Sequence, residues 1–311
     1  MIITFEKLGA RVHTFFLSNN QKYIYYLDSH LSVYDIEKQI TIQSIKKTAD
    51  SDITISNHGE MIGGIHPIHH GRQTEVFLIS IQGILTEKFR IKTNSIYGMC
   101  HPCFTDDDRY FCFFSNNKDV CFMDCNTGKI KTVYSCPPGT IVTSIDSGYS
   151  GLLVSVYSPE NPTKDNKVIF LDQDGNIIRI IPFYCYSEQR CFRSIWGEKN
   201  IFFIIYELNS CRTAIQQIDN ITTNMIIPDY NIILPYSIMD RVHSSKDGKY
   251  LVIGGNVFTQ GKKLSHIVLY SLPDIKQLFH TDKIEFDDVY FSHFDNTLMI
   301  TGSFAQIIRI M

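Results

Sequence analysis

The sequence predicts an all-β fold, a seven-bladed β-propeller, on three observations. First, an extended run, a polar turn and a dense apolar strand recur roughly every 38 to 50 residues along the 311-residue chain. Repeats of this length with several short strands per copy are typical of propellers. Second, 44% hydrophobic and 13% aromatic residues supply a core and favour strands. Third, the last copy stops after its third strand, while the spare segment 1–7 precedes the first copy.

The polar turn between the first two strands of each copy sets the order of the elements. It falls near Ser18, Ser56, Thr105, Ser147, Gly197, Ser245 and His293. Nearly continuous apolar runs follow and predict second strands buried on both faces, at 23–27, 60–64, 110–114, 152–157, 201–206, 250–254 and 297–301. Third strands are predicted at 31–35, 75–79, 119–124, 167–172, 214–219, 266–271 and 306–310.

One domain is predicted for the whole of 1–311, because each blade buries its faces against its neighbours. The predicted blades span approximately 10–48, 49–93, 94–137, 138–187, 188–231, 232–282 and 283–311. Residues 1–7 are predicted to be the closing strand that completes the last blade, which removes two unpaired sheet edges.

Composition favours a protein of the cytoplasm with a protein or peptide partner. The net charge of −3 with no basic run argues against nucleic acid, and no apolar run is long enough to predict a membrane span. The first residues lack the pattern of a secretion signal. Nine cysteines without a regular spacing indicate free thiols in a reducing compartment.

Several residues give the chain a resemblance to WD40-type propellers. Copies one, three, four and five place Tyr34-Asp35, Met123-Asp124, Leu171-Asp172 and Ile218-Asp219 where that family has Trp-Asp. Residues 244–251 stand where it has a Ser-Pro-Asp-Gly turn. Three copies lack the Asp, and the family's Gly-His pair is absent throughout, which leaves lactonase-like or quinoprotein-like propellers as alternatives. The resemblance implies the propeller fold, and fold alone does not define chemistry.

In WD40-type proteins the connections between second and third strands share one face. Here these connections are predicted to be long in copies two, four and six, at 66–74, 158–166 and 256–265. Loops on a rigid scaffold are common binding surfaces, although such loops also vary freely. The candidate partner-binding residues are His66, His69, His70, Arg72, Glu160, Lys164, Asp165, Gln260, Lys262 and Lys263.

Three further groups of residues resemble metal or redox sites. The His66–His70 stretch has no identifiable Cys or carboxylate partner for zinc, and Cys100-His101-Pro102-Cys103 lacks a second ligand pair. Polar residues of the innermost strands could face the central channel and bind a cation: His13, Asp146, Arg193, Asp240, His243, Asp287 and Asp288. Solvated or buried structural roles are the more ordinary interpretation, so no metal site or cofactor is predicted.

No nucleophile elbow, phosphate-binding glycine loop or metalloprotease motif is present in the sequence. We therefore expect a non-catalytic scaffold or adaptor that presents a rim of loops to a protein or peptide. Two alternatives remain open: a lactonase-like or other hydrolase with a metal in its channel, and an architectural subunit of a larger complex.

Overall fold

The computed structural model describes the chain in stretches separated by short gaps. These stretches are 2–5, 12–46, 52–68, 73–81, 84–94, 102–148, 151–160, 166–183, 189–196, 200–207, 212–219, 232–234, 241–245, 247–259, 262–272, 274–282, 286, 288–292, 296–302 and 305–310. No helix in these stretches is long and apolar enough to span a membrane.

The strands of these stretches form seven four-stranded antiparallel sheets, numbered here in chain order. Sheets one to three are β2 (Thr14–Leu17), β3 (Tyr23–Leu27), β4 (Leu31–Asp35), β5 (Ile40–Ile45); β6 (Asp52–Ile55), β7 (Met61–Ile68), β8 (Gln73–Ser80), β9 (Thr86–Asn94); and β10 (Cys103–Phe104), β11 (Tyr110–Ser115), β12 (Asp119–Asp124), β13 (Ile130–Ser135). Within each sheet, consecutive strands pair side by side.

The remaining sheets follow the same order until the last. Sheets four to six are β14 (Ile141–Gly148), β15 (Gly151–Tyr157), β16 (Lys167–Leu171), β17 (Ile177–Pro182); β18 (Gln189–Trp196), β19 (Asn200–Glu207), β20 (Arg212–Asp219), β21 (Ile232–Leu234); and β22 (Arg241–Ser244), β23 (Tyr250–Thr259), β24 (Lys262–Ser271), β25 (Lys276–Thr281). Sheet seven joins β26 (Asp288–Phe291), β27 (Thr297–Thr301) and β28 (Ala305–Arg309) to β1 (Ile2–Phe5) at its outer edge.

The first strands of successive sheets pack in chain order. Strand β10 contacts β6 and β14, and contacts continue from β14 to β18, from β18 to β22 and from β22 to β26. Strand β27 of sheet seven contacts β2 of sheet one. The chain therefore arranges its sheets side by side, with the last beside the first.

Two sets of bonds join sheet seven to the start of the chain. The first is the antiparallel pairing of β1 with β28, in which Thr4 is the register partner of Gln306. The second is at the inner strands, where the main-chain N–H of Val12 donates to the carbonyl of Gly302 (3.2 Å) and the Thr301 hydroxyl donates to the carbonyl of His13 (3.1 Å). Both ends of the described chain thus contribute to one sheet.

Tyr290 adds a buried polar contact between sheets seven and one. The N–H of Phe15 donates to its hydroxyl oxygen (2.7 Å), and the hydroxyl in turn donates to the carbonyl of Phe15. The Thr14 hydroxyl also donates to it (3.3 Å), and the ring packs on Phe15 and Phe16. Burial raises the pKa of this phenol far above its usual range, so it stays protonated and donates.

The polar turn that recurs in the sequence is held by one repeated hydrogen-bond pattern. In sheets one, three and six, the turn's first hydroxyl donates to a side-chain oxygen two residues on and accepts the N–H of the tyrosine that opens the second strand. These hydroxyls belong to Ser18, Thr105 and Ser245. The turn's fourth residue is left-handed in sheets one, two, three and six, namely Gln21 (φ 57°), Gly59 (72°), Asp108 (56°) and Gly248 (67°). Such side-chain turns explain why Ser, Asn, Asp and Gly recur at these positions.

The sheets pack through large apolar side chains of their middle strands. Phe77, Phe111, Phe113 and Phe122 are fully buried. Gly63 lies where sheet two meets sheet three, and a Cβ added there would stand 2.4 Å from the Phe111 ring. Glycine is therefore required by the close approach of the two sheets.

The outer strands of five sheets contain irregularities that disfavour pairing with a strand of another chain. Strands β5, β9, β13, β17 and β25 each shift register against the third strand of their sheet. A bulge twists an edge strand and weakens its ability to pair with another chain. Each of these edges is consequently a poor template for aggregation.

Most predicted strands coincide with the structure, but those of copies two and six are longer. Strand β7 continues to Ile68 and β23 to Thr259, so 66–68 and 256–259 are strand where the sequence predicted loop. The ends predicted for these second strands, at 64 and 254, are therefore wrong, and the pairs Gly63-Gly64 and Gly254-Gly255 lie inside β7 and β23. Strand β21 at 232–234 pairs within sheet five, a few residues beyond the predicted blade boundary at 231.

Candidate functional site

We call the rim the edge of the molecule where the second strand of each sheet turns into the third. Of the predicted rim residues, His66 lies on β7 opposite Glu75 and is half-buried, whereas Glu160 follows β15 and is exposed. Lys262 and Lys263 pair with Thr259 and Phe258 on the β23–β24 ladder. Three of the four are thus on strands, because long hairpins replace the expected loops.

The remaining predicted rim residues lie outside the described stretches of the chain. They are His69, His70, Arg72, Lys164, Asp165 and Gln260. Those of copy two fall between the end of β7 and the start of β8, and Gln260 falls between β23 and β24.

A groove of about 400 Å³ opens at the rim between sheets two and three. Sheet two contributes Gln73, Lys92 and Thr93; sheet three contributes Phe113, Ser115, Asn116, Asp119, Cys121, Ile130 and Thr132. Gln73 begins β8 and Thr93 is near the end of β9, while Ser115 and Asn116 lie where β11 turns into β12. The volume is within the range of small binding sites.

The wall on the side of sheet three is held rigidly. The N–H of Lys118 donates to the carbonyl of Ser115 (3.0 Å), and the carbonyl of Lys118 accepts the N–H of Cys136 (2.8 Å). The carbonyl of Asn117 accepts the N–H of Val142 in sheet four (2.7 Å). The turn is therefore bonded to the segment that leads to the next sheet, and little backbone freedom is left to lose on binding.

The groove carries one cation and one anion on opposite walls. Lys92 is exposed and forms no salt bridge with the described residues, because its register partner Glu75 is held instead by Arg90 (3.5 Å). Arg90 also pairs with Glu87 (2.5 Å). On the other wall, Asp119 accepts a hydrogen bond from the Ser135 hydroxyl (2.7 Å). The charges are complementary to a ligand with both signs.

The floor of the groove is apolar and chemically unreactive. Phe113 is fully buried, and Ile130 is partly buried against the same core cluster. Burial raises the pKa of the Cys121 thiol to about 11, against the opposing effect of a hydrogen bond with Thr132. The thiol is therefore neutral at pH 7 and acts as a small apolar group.

The edge opposite the rim is occupied by bonds between neighbouring turns. Asp108 is only 8% exposed, and its carboxylate accepts the main-chain N–H groups of Asn57 and His58 (both 2.7 Å). The Asn57 amide (3.1 Å) and the His58 ring nitrogen (2.7 Å) also contact it. Arg109 pairs with Asp174 of sheet four. These polar groups hold sheets together and are already partnered.

The channel and cysteine candidates do not assemble a site among the described residues. His13, Asp146, His243 and Asp288 are half-buried, the backbone of Arg193 lies on β18, and Asp240 and Asp287 lie outside the described stretches. No three His, Cys, Asp or Glu of those stretches are placed to hold a metal ion. The His243 ring packs against Tyr290, with ring centroids 6.2 Å apart.

The Cys-His-Pro-Cys motif divides between described and undescribed residues. Cys100 and His101 lie outside the described stretches, and Cys103 on β10 is the register partner of Cys112 on β11. Burial, together with the neighbouring Cys103, raises the pKa of the Cys112 thiol well above its ordinary value. The described cysteines 103, 112, 121, 125 and 136 are free thiols.

Comparison with known proteins identifies the fold. No protein-family model and no curated protein matches the sequence. Among solved structures, hydrazine synthase of Kuenenia stuttgartiensis superimposes with a TM-score of 0.68 at 10% identity, covering 98% of this chain and 97% of that one. The β-propeller domain of Myceliophteria thermophila Cps50 (Swd1) superimposes with a TM-score of 0.65 at 11% sequence identity, covering 99% of this chain and 98% of that one. U3-55K superimposes with a TM-score of 0.66 at 9% sequence identity, covering 99% of this chain and 98% of that one.

These similarities extend over nearly the full length of both chains. The prediction of an all-β propeller is confirmed, and the protein is a β-propeller. At identities of 9–11% the likeness concerns shape alone. What the protein does must be argued from its own surface.

Proposed function

We propose that the chain is a closed, seven-bladed, WD40-like propeller that acts as a non-catalytic scaffold in the cytoplasm and binds a protein partner at its rim. The observation that supports this proposal is the groove that opens at the rim between sheets two and three. Free thiols in the described stretches fit a reducing compartment.

Closure of the ring would make the rim rigid. The pairing of β1 with β28 and the bond between Tyr290 and Phe15 join the last sheet to the first. A ring without free ends holds each sheet between two neighbours. Partner binding then orders few groups, so more of the contact free energy appears as affinity.

The contrast between the two edges of the molecule supports the choice of the rim. At the opposite edge, the polar side chains Asp108, Arg109 and Asn57 are bonded to neighbouring turns. At the groove, Lys92 forms no salt bridge with described residues, and Gln73 and Asn116 are exposed. Exposed polar groups around an apolar floor are typical of binding sites.

The test places a photo-crosslinking amino acid at one of two lysines of sheet three. Lys118 lies in the rim turn between β11 and β12, and Lys129 lies in the opposite turn between β12 and β13; both are exposed. We expect a discrete adduct with another protein in native cells from position 118 and none from 129. An adduct from 129 alone, or from neither position, would refute rim binding.

A further inference from the structure

The charges and the apolar floor of the groove define the kind of segment it fits. Lys92 on the wall of sheet two and Asp119 on the wall of sheet three provide opposite charges, with Phe113 and Ile130 also lining the groove. We propose that the groove binds an extended segment of the partner protein that carries an acidic, an apolar and a basic side chain on its inward side. This inference rests on the proposed function, since it specifies the ligand of the same site.

The acidic side chain of the segment is assigned to Lys92. Nearby Arg90 already forms salt bridges with Glu75 (3.5 Å) and Glu87 (2.5 Å), whereas Lys92, which lines the groove, forms none with the described residues. A carboxylate placed beside Lys92 gains a charge-assisted hydrogen bond in a partly enclosed site. The acidic side chain of the bound segment therefore contacts sheet two.

The basic side chain of the segment is assigned to Asp119. The Ser135 hydroxyl donates to its Oδ1 (2.7 Å), which fixes the carboxylate in place. Like charge at this wall opposes a second acidic group, so the direction of the segment is specified as well as its composition.

The polar groups between the charges suit a peptide backbone. Gln73 and Asn116 each carry an amide that can both donate and accept, and they come from different walls. An extended chain offers the same pair of functions at every residue. Alternate side chains of such a chain point to one side, which brings the apolar residue over the partly buried Ile130.

The experiment identifies the segment and then reverses charges. The adduct formed from position 118 is sequenced, and the matching synthetic peptide is labelled and titrated by fluorescence anisotropy. We expect Lys92→Glu to weaken binding at least about tenfold, and a peptide with its acidic residue changed to Lys to restore affinity for that variant. Lys88→Glu serves as the matched control, because Lys88 is an exposed lysine on the same strand outside the groove.

Each outcome separates this inference from the proposed function. A rim adduct with a segment lacking the acidic, apolar and basic pattern overturns the inference alone, as does unchanged affinity of a folded Lys92→Glu variant. An adduct with a second copy of this chain overturns it too. Absence of any rim adduct overturns the proposed function and the inference together.

Discussion

Replacement of Tyr290 by phenylalanine tests the junction between sheets seven and one. The change removes a hydroxyl that accepts the N–H of Phe15 (2.7 Å) and donates to the carbonyl of the same residue. Both backbone groups belong to a residue with 0% exposure. Water cannot replace the lost partner without opening the interface between the sheets.

The expected loss follows from the cost of unsatisfied buried groups. Each buried N–H or carbonyl left without a partner costs about 1–3 kcal/mol. Two such groups make about 2–4 kcal/mol a reasonable loss for Tyr290→Phe. Since about 1 kcal/mol shifts the Tm of a large domain by about 2–4 °C, we expect the Tm to fall by roughly 5–10 °C.

Differential scanning fluorimetry gives the Tm, and Tyr270→Phe is the matched control. Tyr270 is a buried tyrosine of β24 for which the described residues show no hydrogen bond to the hydroxyl. We expect its Tm to stay within about 1 °C of the parent protein. The same small shift for Tyr290→Phe would refute the reasoning that its hydroxyl fastens sheet seven to sheet one.

Four further predictions concern the junctions, pH dependence and thiols. Oxidation of the Thr4→Cys/Gln306→Cys double variant should form an intramolecular disulfide, detected by mass spectrometry, since these residues are register partners; failure under conditions that oxidise other cysteines would contradict the pairing. Asp108→Ala should lower stability by about 2–3 kcal/mol, through lost hydrogen bonds and a left-handed backbone (φ 56°); a loss no larger than that of Asp106→Ala in the same turn would count against it. Burial opposes ionisation of Asp247, but hydrogen bonds from Asn296, Ser245 and Lys249 outweigh it and lower its pKa to about 2. Because the folded-state pKa lies below the unfolded value, this stabilisation is present above about pH 4 and is lost as pH falls through 2. Asp247→Asn should therefore lower the free energy of unfolding by about 1 kcal/mol in urea melts at pH 7 and not at all near pH 2. An equal loss at both pH values would contradict a lowered pKa of Asp247. Iodoacetamide should modify Cys121 at pH 7.5 at least roughly 100-fold more slowly in the folded protein than in urea, because its pKa is about 11; equal rates by peptide mass mapping would argue against burial.

The order of the strands could be predicted because burial on both faces leaves continuous apolar runs. Strands β3 and β27 begin and end where the sequence indicated, at Tyr23–Leu27 and Thr297–Thr301. The pairing of Ile2–Phe5 with the last sheet could be inferred from a strand missing at one end of the sequence and spare at the other. Both inferences depend on the repeated strand pattern, because it shows which strand each copy should contain.

The longer hairpins of sheets two and six could not be predicted. The end of β7 contains His66 and Pro67, residues that locally favour a loop. Their partners on β8 are Glu75 and Thr74, so the ladder overrides the local preference. A single sequence gives no measure of that cross-strand pairing.

The groove was also beyond sequence reasoning. Its walls come from different sheets, with Gln73 and Asn116 more than 40 residues apart in the chain. Lys92 forms no salt bridge with the described residues because Glu75 pairs with Arg90 instead. Which of the two cations pairs with Glu75 depends on side-chain geometry, which the sequence does not give. None of the rim residues predicted from the sequence lines the groove, and the two sheets between which it opens could be identified only from the structure.

The most direct measurement of partner binding at the rim is hydrogen–deuterium exchange of the complex purified from native cells against the free protein. We predict slower exchange of amides in 73–74, 92–93 and 115–119, which border the groove, and unchanged exchange in the opposite turns 56–61 and 105–110. Protection confined to 56–61 and 105–110, with the groove exchanging as in the free protein, would contradict the account.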